Sequence, residues 1–136
     1  MVKMSMVYEG NLRCRLTHGP SGSEILTDAP VDNHGKGEAF SPTDLLAASL
    51  GSCMLTVMGI AARKNNVVID GTTADVEKEM VTAPIRRIGK ITVTIRMAAG
   101  IDPAKRSILE QAAHTCPVHK SIHPDMQITA QFIYPD

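Results

Sequence analysis

Hydrophobic and polar positions alternate along the first part of the chain. Between Asn11 and Thr17, Leu12, Cys14 and Leu16 fall on one side, and Arg13, Arg15 and Thr17 on the other. That is the period of a half-buried strand. The cluster HGPSGS at His18–Ser23 reads as a turn, and Glu24–Thr27 as the returning strand. From Asp28 to Phe40 the period is lost. Pro30, Gly35, Gly37 and mixed charges mark a loop, and loops of this length inside a domain are often functional. Further on, a short strand is expected at Val67–Ile69 and a longer one at Thr72–Met80. Another is expected at Ile88–Met97, where Ile91, Val93, Ile95 and Met97 oppose Lys90, Thr92, Thr94 and Arg96. Met126–Tyr134 alternates again as a final strand.

Two helices interrupt the strands. Ser41 is an N-cap type, Pro42 suits the first helical position, and Asp44 stands three residues after Ser41, which is a capping-box pattern. This helix should run to Arg63 and Lys64, which favour a C-terminus, and stop at Asn65 and Asn66. Asp102 and Pro103 repeat the signature and open a second helix, to about Thr115. A short helical turn after Pro117 is broken by the sequence HPD at His123–Asp125. This succession of strands and helices is an α+β pattern, and residues 1–136 read as one domain.

The first helix contains eighteen residues, Leu45 to Ala62, without a charge. That length is at the lower edge of what spans a bilayer. Ala47, Ala48, Ser49, Gly51, Ser52, Thr56, Gly59, Ala61 and Ala62 dilute its leucines, so the expectation is a buried core helix and no membrane partner. A helix apolar all round must be covered on all sides. One sheet in so short a chain does not do that, and a second subunit is a natural source of cover.

Composition narrows the partners. The formal net charge is zero, which argues against nucleic acid, and Tyr8, Phe40, Phe132 and Tyr134 are the only aromatic residues of the Phe/Tyr/Trp type. The segment MVKMSMVYEG has no continuous apolar run and does not read as a signal peptide. The expected compartment is therefore the cytoplasm, where thiols stay reduced.

Chemistry concentrates at two cysteines. Cys53 lies within the uncharged run, with Ser49, Leu50, Thr56 and Val57 at helical spacing. Taken alone it reads as a small buried hydrophobe. Cys116 directly precedes Pro117, at the start of a short helix, where unpaired N–H groups favour a thiolate. His114, His119 and His123 are close in sequence, and each could support that thiolate if protonated. Cys116, His119 and His123 could instead form a zinc site, although their spacing matches no standard motif, and no metal or cofactor is expected. Cys14 reads as a core cysteine beside Leu12 and Leu16.

The stretch FSPTDLLAASLGSCM, followed some sixty residues later by AAHTCPVHKSI, resembles the OsmC/Ohr family of thiol peroxidases, in its broad OsmC-like branch. The resemblance extends over nearly the whole chain. It implies an α+β fold with curved antiparallel sheets around long central helices in an intertwined homodimer. It implies that Cys53 is the peroxidatic cysteine and Cys116 the resolving one. A hydroperoxide would convert Cys53 to a sulfenic acid, and Cys116 would condense with it to a disulfide. An apolar pocket at Cys53 would favour organic hydroperoxides, and a dithiol reductant of the lipoyl type would restore the enzyme for oxidative-stress defence. Family peroxidases also hold the thiolate with an arginine–glutamate pair. The glutamate's place falls on Thr43, with Asp44 next to it, and the arginine's usual places fall near Asn11 and Asn33. Arg13, Arg15, Arg86 and Arg87 are the nearby candidates, and His114 is a further supporting candidate. The alternative is a non-enzymatic small-molecule binding protein with the same apolar pocket.

Overall fold

A computed structural model describes residues 1–135 and shows a mixed α+β architecture with two three-stranded sheets. The chain forms two compact units, Met1–Leu46 and the remainder from Ala47. In the first, β1 (Met4–Gly10), β2 (Arg13–His18) and β3 (Glu24–Asp28) make an antiparallel sheet in that order. Tyr8 pairs with Cys14 and Met6 with Leu16, while Leu16 pairs with Ile25 and Cys14 with Thr27. One face therefore carries Met6, Tyr8, Cys14, Leu16 and Ile25, and Met6, Tyr8 and Ile25 are exposed. The opposite face is an ionic ladder in which Arg13 binds Asp28 and Arg15 binds Glu9.

The strand β1 departs from the sequence expectation, which had no element there. Met4, Met6 and Tyr8 do alternate with Ser5, Val7 and Glu9, but Val7 on the polar side blurs the period.

Helix α1 (Pro42–Lys64) starts with the reciprocal bonds that its sequence encodes. Asp44 N donates to Ser41 Oγ at 3.0 Å, and Ser41 N donates to Asp44 Oδ2 at 3.0 Å. At the other end Asn66 takes a left-handed φ of 55°, and Val67 N reaches back to Ala62 O at 2.9 Å. This is a Schellman-type stop, which uses Asn where Gly is commonest. Val67–Ile69, expected as a strand, is instead a connection. Its first N–H is used by the helix cap, and the carbonyl of Ile69 accepts from Thr72 N in a turn.

In the second unit, β4 (Thr73–Val81) pairs antiparallel with β5 (Arg87–Arg96), and β5 pairs parallel with β6 (Gln127–Ile133). A parallel neighbour needs a crossover, here supplied by α2 (Pro103–Ala113) and α3 (Pro117–Ser121). Asp102 caps α2 by accepting from Ala104 N at 2.9 Å. The core joins Leu50, Met54 and Met58 of α1 with Ile91, Val93 and Ile95 of β5, Leu109 and Ala113 of α2, and Cys116.

The buried residues of α1 form one stripe: Ala47, Leu50, Gly51, Met54, Met58 and Ala62. On its other side Ile60 is 52% exposed. The helix is long and apolar enough to cross a membrane by length and composition, with a mean hydropathy of 1.9 over its best window.

Candidate functional site

The two cysteines singled out in the sequence meet in the second unit. Cys53 sits on α1 at the edge of the buried stripe, partly exposed and packed against the core. Cys116 is fully buried and is the N-cap of α3. All three cysteines are free thiols. The position of Cys116 follows from local sequence. Pro117 has no N–H to satisfy and a backbone angle suited to a first helical residue. The thiol before it can then accept from the open end of the turn, and His119 N donates to Cys116 Sγ at 3.4 Å.

The thiols differ in environment. Burial pushes the Cys116 thiol above its ordinary range, and the neighbouring Cys53 thiol raises it further. The N–H groups of His119 and Val118 pull in the other direction without cancelling the rise. A raised value means that Cys116 keeps its proton near neutral pH. The arrangement therefore holds a partly exposed thiol beside a buried, protonated one.

The three histidines near Cys116 differ in their surroundings. His114 is exposed and stands edge-on to Phe132, with ring centres 5.9 Å apart. His123 accepts from Asp125 N through Nδ1 at 3.0 Å. Burial lowers His119, and Lys120 and His114 lower it further, so its ring is neutral near pH 7. It therefore supplies no positive charge there. Among the described residues, no group of three or more His, Cys, Asp or Glu side chains is placed to hold a metal ion.

Thr43, Asp44, Arg13 and Arg15 lie within residues 1–46, whereas Arg86 precedes β5 and Arg87 opens it, pairing with Val81 and donating to Ile88 O at 3.4 Å. Thr43 and Asp44 belong to the α1 cap, where Thr43 Oγ1 and Ser41 Oγ are 3.2 Å apart. Arg15 bonds Glu9 at 2.9 Å and lies 3.7 Å from Glu24. Arg13 makes a two-pronged contact with Asp28, at 2.7 and 2.8 Å, and reaches Glu38 at 3.2 Å. Asp28 is buried and also accepts from Glu38 N at 3.1 Å. The Arg13 guanidinium holds the Asp28 carboxyl below the usual carboxylate range. This clamp, which fixes the loop between β3 and α1, was not anticipated. Its only trace in the sequence is an acidic residue at the end of a strand that faces basic ones.

A family model described as "OsmC-like protein" matches residues 35–131. Comparison with the curated proteins finds no match. Among solved structures, one from Psychrobacter arcticus 273-4, named for induction by osmotic stress and a detoxification response, is 49% identical. That alignment covers 97% of this chain and 96% of the other, with a TM-score of 0.91. An organic hydroperoxide resistance protein OsmC from Legionella pneumophila aligns over 98% of this chain and 96% of its own, at 12% identity and a TM-score of 0.78. The organic hydroperoxide resistance protein OhrB of Bacillus subtilis aligns over 97% of both chains, at 18% identity and a TM-score of 0.69. The last two likenesses are of fold. With the family model spanning most of its length and a relative sharing half its residues, the chain belongs to the OsmC-like protein family.

Proposed function

We propose that this protein is a dithiol peroxidase that reduces organic hydroperoxides, with Cys53 as the attacking sulfur and Cys116 as the resolving one. The observation that carries the reading is the pair of neighbouring thiols with unequal exposure. The Cys53 thiolate attacks the outer oxygen of the peroxide and the O–O bond breaks. The alcohol leaves with a proton, and Cys53 becomes a sulfenic acid. The Cys116 sulfur then attacks Cys53, a disulfide forms, and hydroxide leaves with the Cys116 proton as water. An external dithiol reduces the pair and is itself oxidised to a disulfide. The family's named hydroperoxide-resistance members support this reading at the level of kinship. The apolar residues beside Cys53, including Leu50 and Val57, favour a carbon-bearing peroxide over hydrogen peroxide.

The same reading includes a homodimer working in the cytoplasm. A second copy of the chain would cover the open side of α1 and the exposed apolar face of the first sheet. The test of function is consumption of cumene hydroperoxide in the presence of dihydrolipoamide. Wild-type protein should turn over many times. Cys53→Ser should consume nothing, and full activity in that variant would end the proposal.

A further inference from the structure

Gly51 stands in the middle of α1, where glycine is a poor helix former. It is buried in the core stripe of the helix. A Cβ built on it would lie 2.7 Å from Val76 Cγ2 on β4, closer than real contacts allow. Val76 is β-branched and its methyls sit next to the backbone, so they do not swing aside as a long side chain would. Gly59, on the same helix, has open space where its Cβ would be. The missing side chain at position 51 thus sets how closely α1 approaches the edge strand of the second sheet.

That approach bears on the thiols. At 3.6 residues per turn, Gly51 and Cys53 point about 160° apart around the helix. One rim of α1 rests on β4 through Gly51, and the other carries Cys53 to Cys116 at the start of α3. The helix is held between two walls, so a methyl group added at the β4 wall must shift or roll it. A roll of about 10° carries a side chain about 5 Å from the axis through roughly 1 Å. A displacement of that size slows reactions that depend on alignment by up to about a hundredfold.

We infer that Gly51 is a positioning residue for the Cys53–Cys116 pair, acting through its contact with Val76. The inference rests on the proposed dithiol couple but not on the peroxide being its substrate. The test is the rate of Cys53–Cys116 disulfide formation with diamide, a general thiol oxidant that takes up two electrons and two protons as its hydrazine. Mass mapping locates the bond. Gly51→Ala should slow disulfide formation at least tenfold while far-UV circular dichroism stays that of the wild type. Gly51→Ala combined with Val76→Ala removes the opposing methyls and should return the rate to within about threefold of wild type. A wild-type rate in Gly51→Ala, or no recovery in the double variant, overturns the inference. If Gly51→Ala does not fold, Val76→Ile crowds the same contact from the strand side. It should slow the bond at least threefold, and a wild-type rate there overturns the inference as well. Sensitivity to these substitutions with diamide but no reaction with peroxide would leave the positioning role standing and remove the peroxidase.

Discussion

Replacing Cys116 separates its two roles. It is the proposed resolving thiol, and it is the N-cap of α3 through its bond from His119 N. Serine keeps an acceptor at the cap and fits the same buried space, whereas alanine leaves the His119 N–H without that partner. Loss of an N-cap acceptor costs about 1 kcal/mol. For a domain of this length that corresponds to roughly 3 °C in melting temperature. Cys116→Ala should therefore melt about 3 °C below Cys116→Ser when both are followed by circular dichroism. Both should fail alike in chemistry. Each should consume one equivalent of cumene hydroperoxide, release no disulfide, and then gain further oxygen at Cys53 as the sulfenic acid passes to the sulfinic acid. Intact mass reads that gain directly. If either variant turned over repeatedly with dihydrolipoamide, Cys116 would not be the resolving thiol. If the two melted together, the cap would contribute nothing.

Thiolate absorbance should show Cys116 ionising above the usual thiol value of about 8.5. In Cys53→Ala the rise should shrink without vanishing, since burial, the larger cause, remains. Because the folded value is raised, Cys116 adds stability that is full below about pH 8.5 and is lost as pH climbs through the folded value. Denaturant midpoints above pH 8.5 should accordingly fall less steeply in Cys116→Ser. Asp28 has the opposite sign. Its folded value is depressed, so its contribution is present above the unfolded value of about 3.9 and is lost as pH falls through the folded one. Asp28→Asn should lower the midpoint at pH 7 and flatten the acid limb below pH 4, and an unchanged limb would show that the Arg13 clamp carries no linkage. Light scattering should give a dimer mass, and Ile60→Asp, on the open side of α1, should move it toward the monomer. A monodisperse wild-type monomer would contradict the second copy as the cover.

Much of this architecture was legible because single residues carried it. The Ser41-Pro42-Thr43-Asp44 start of α1, the Asp102-Pro103 start of α2 and the Cys116-Pro117 start of α3 each encode their own cap in adjacent positions. The alternation of Ile91, Val93 and Ile95 likewise marks a strand whose inner face is fully buried. The errors came where a local signal was shared between outcomes. Val67–Ile69 is as β-branched as a strand, but its first N–H is taken by the α1 terminus. β1 carries methionines on one face and valine on the other, so no clean period appears. The site shows the same division. The nearness of Cys53 and Cys116 came from a family resemblance, because sixty intervening residues hide it from any local pattern. The Asp28–Arg13 clamp is a pairing across neighbouring strands, which depends on a register that composition does not reveal.

The most direct test of the account is thiol counting with intact mass, before and after one equivalent of cumene hydroperoxide. The account predicts the loss of two thiols and of two hydrogens in mass, with the new bond mapped to Cys53 and Cys116 and Cys14 left free. Oxidation no faster than that of free cysteine, or a bond that includes Cys14, would contradict it.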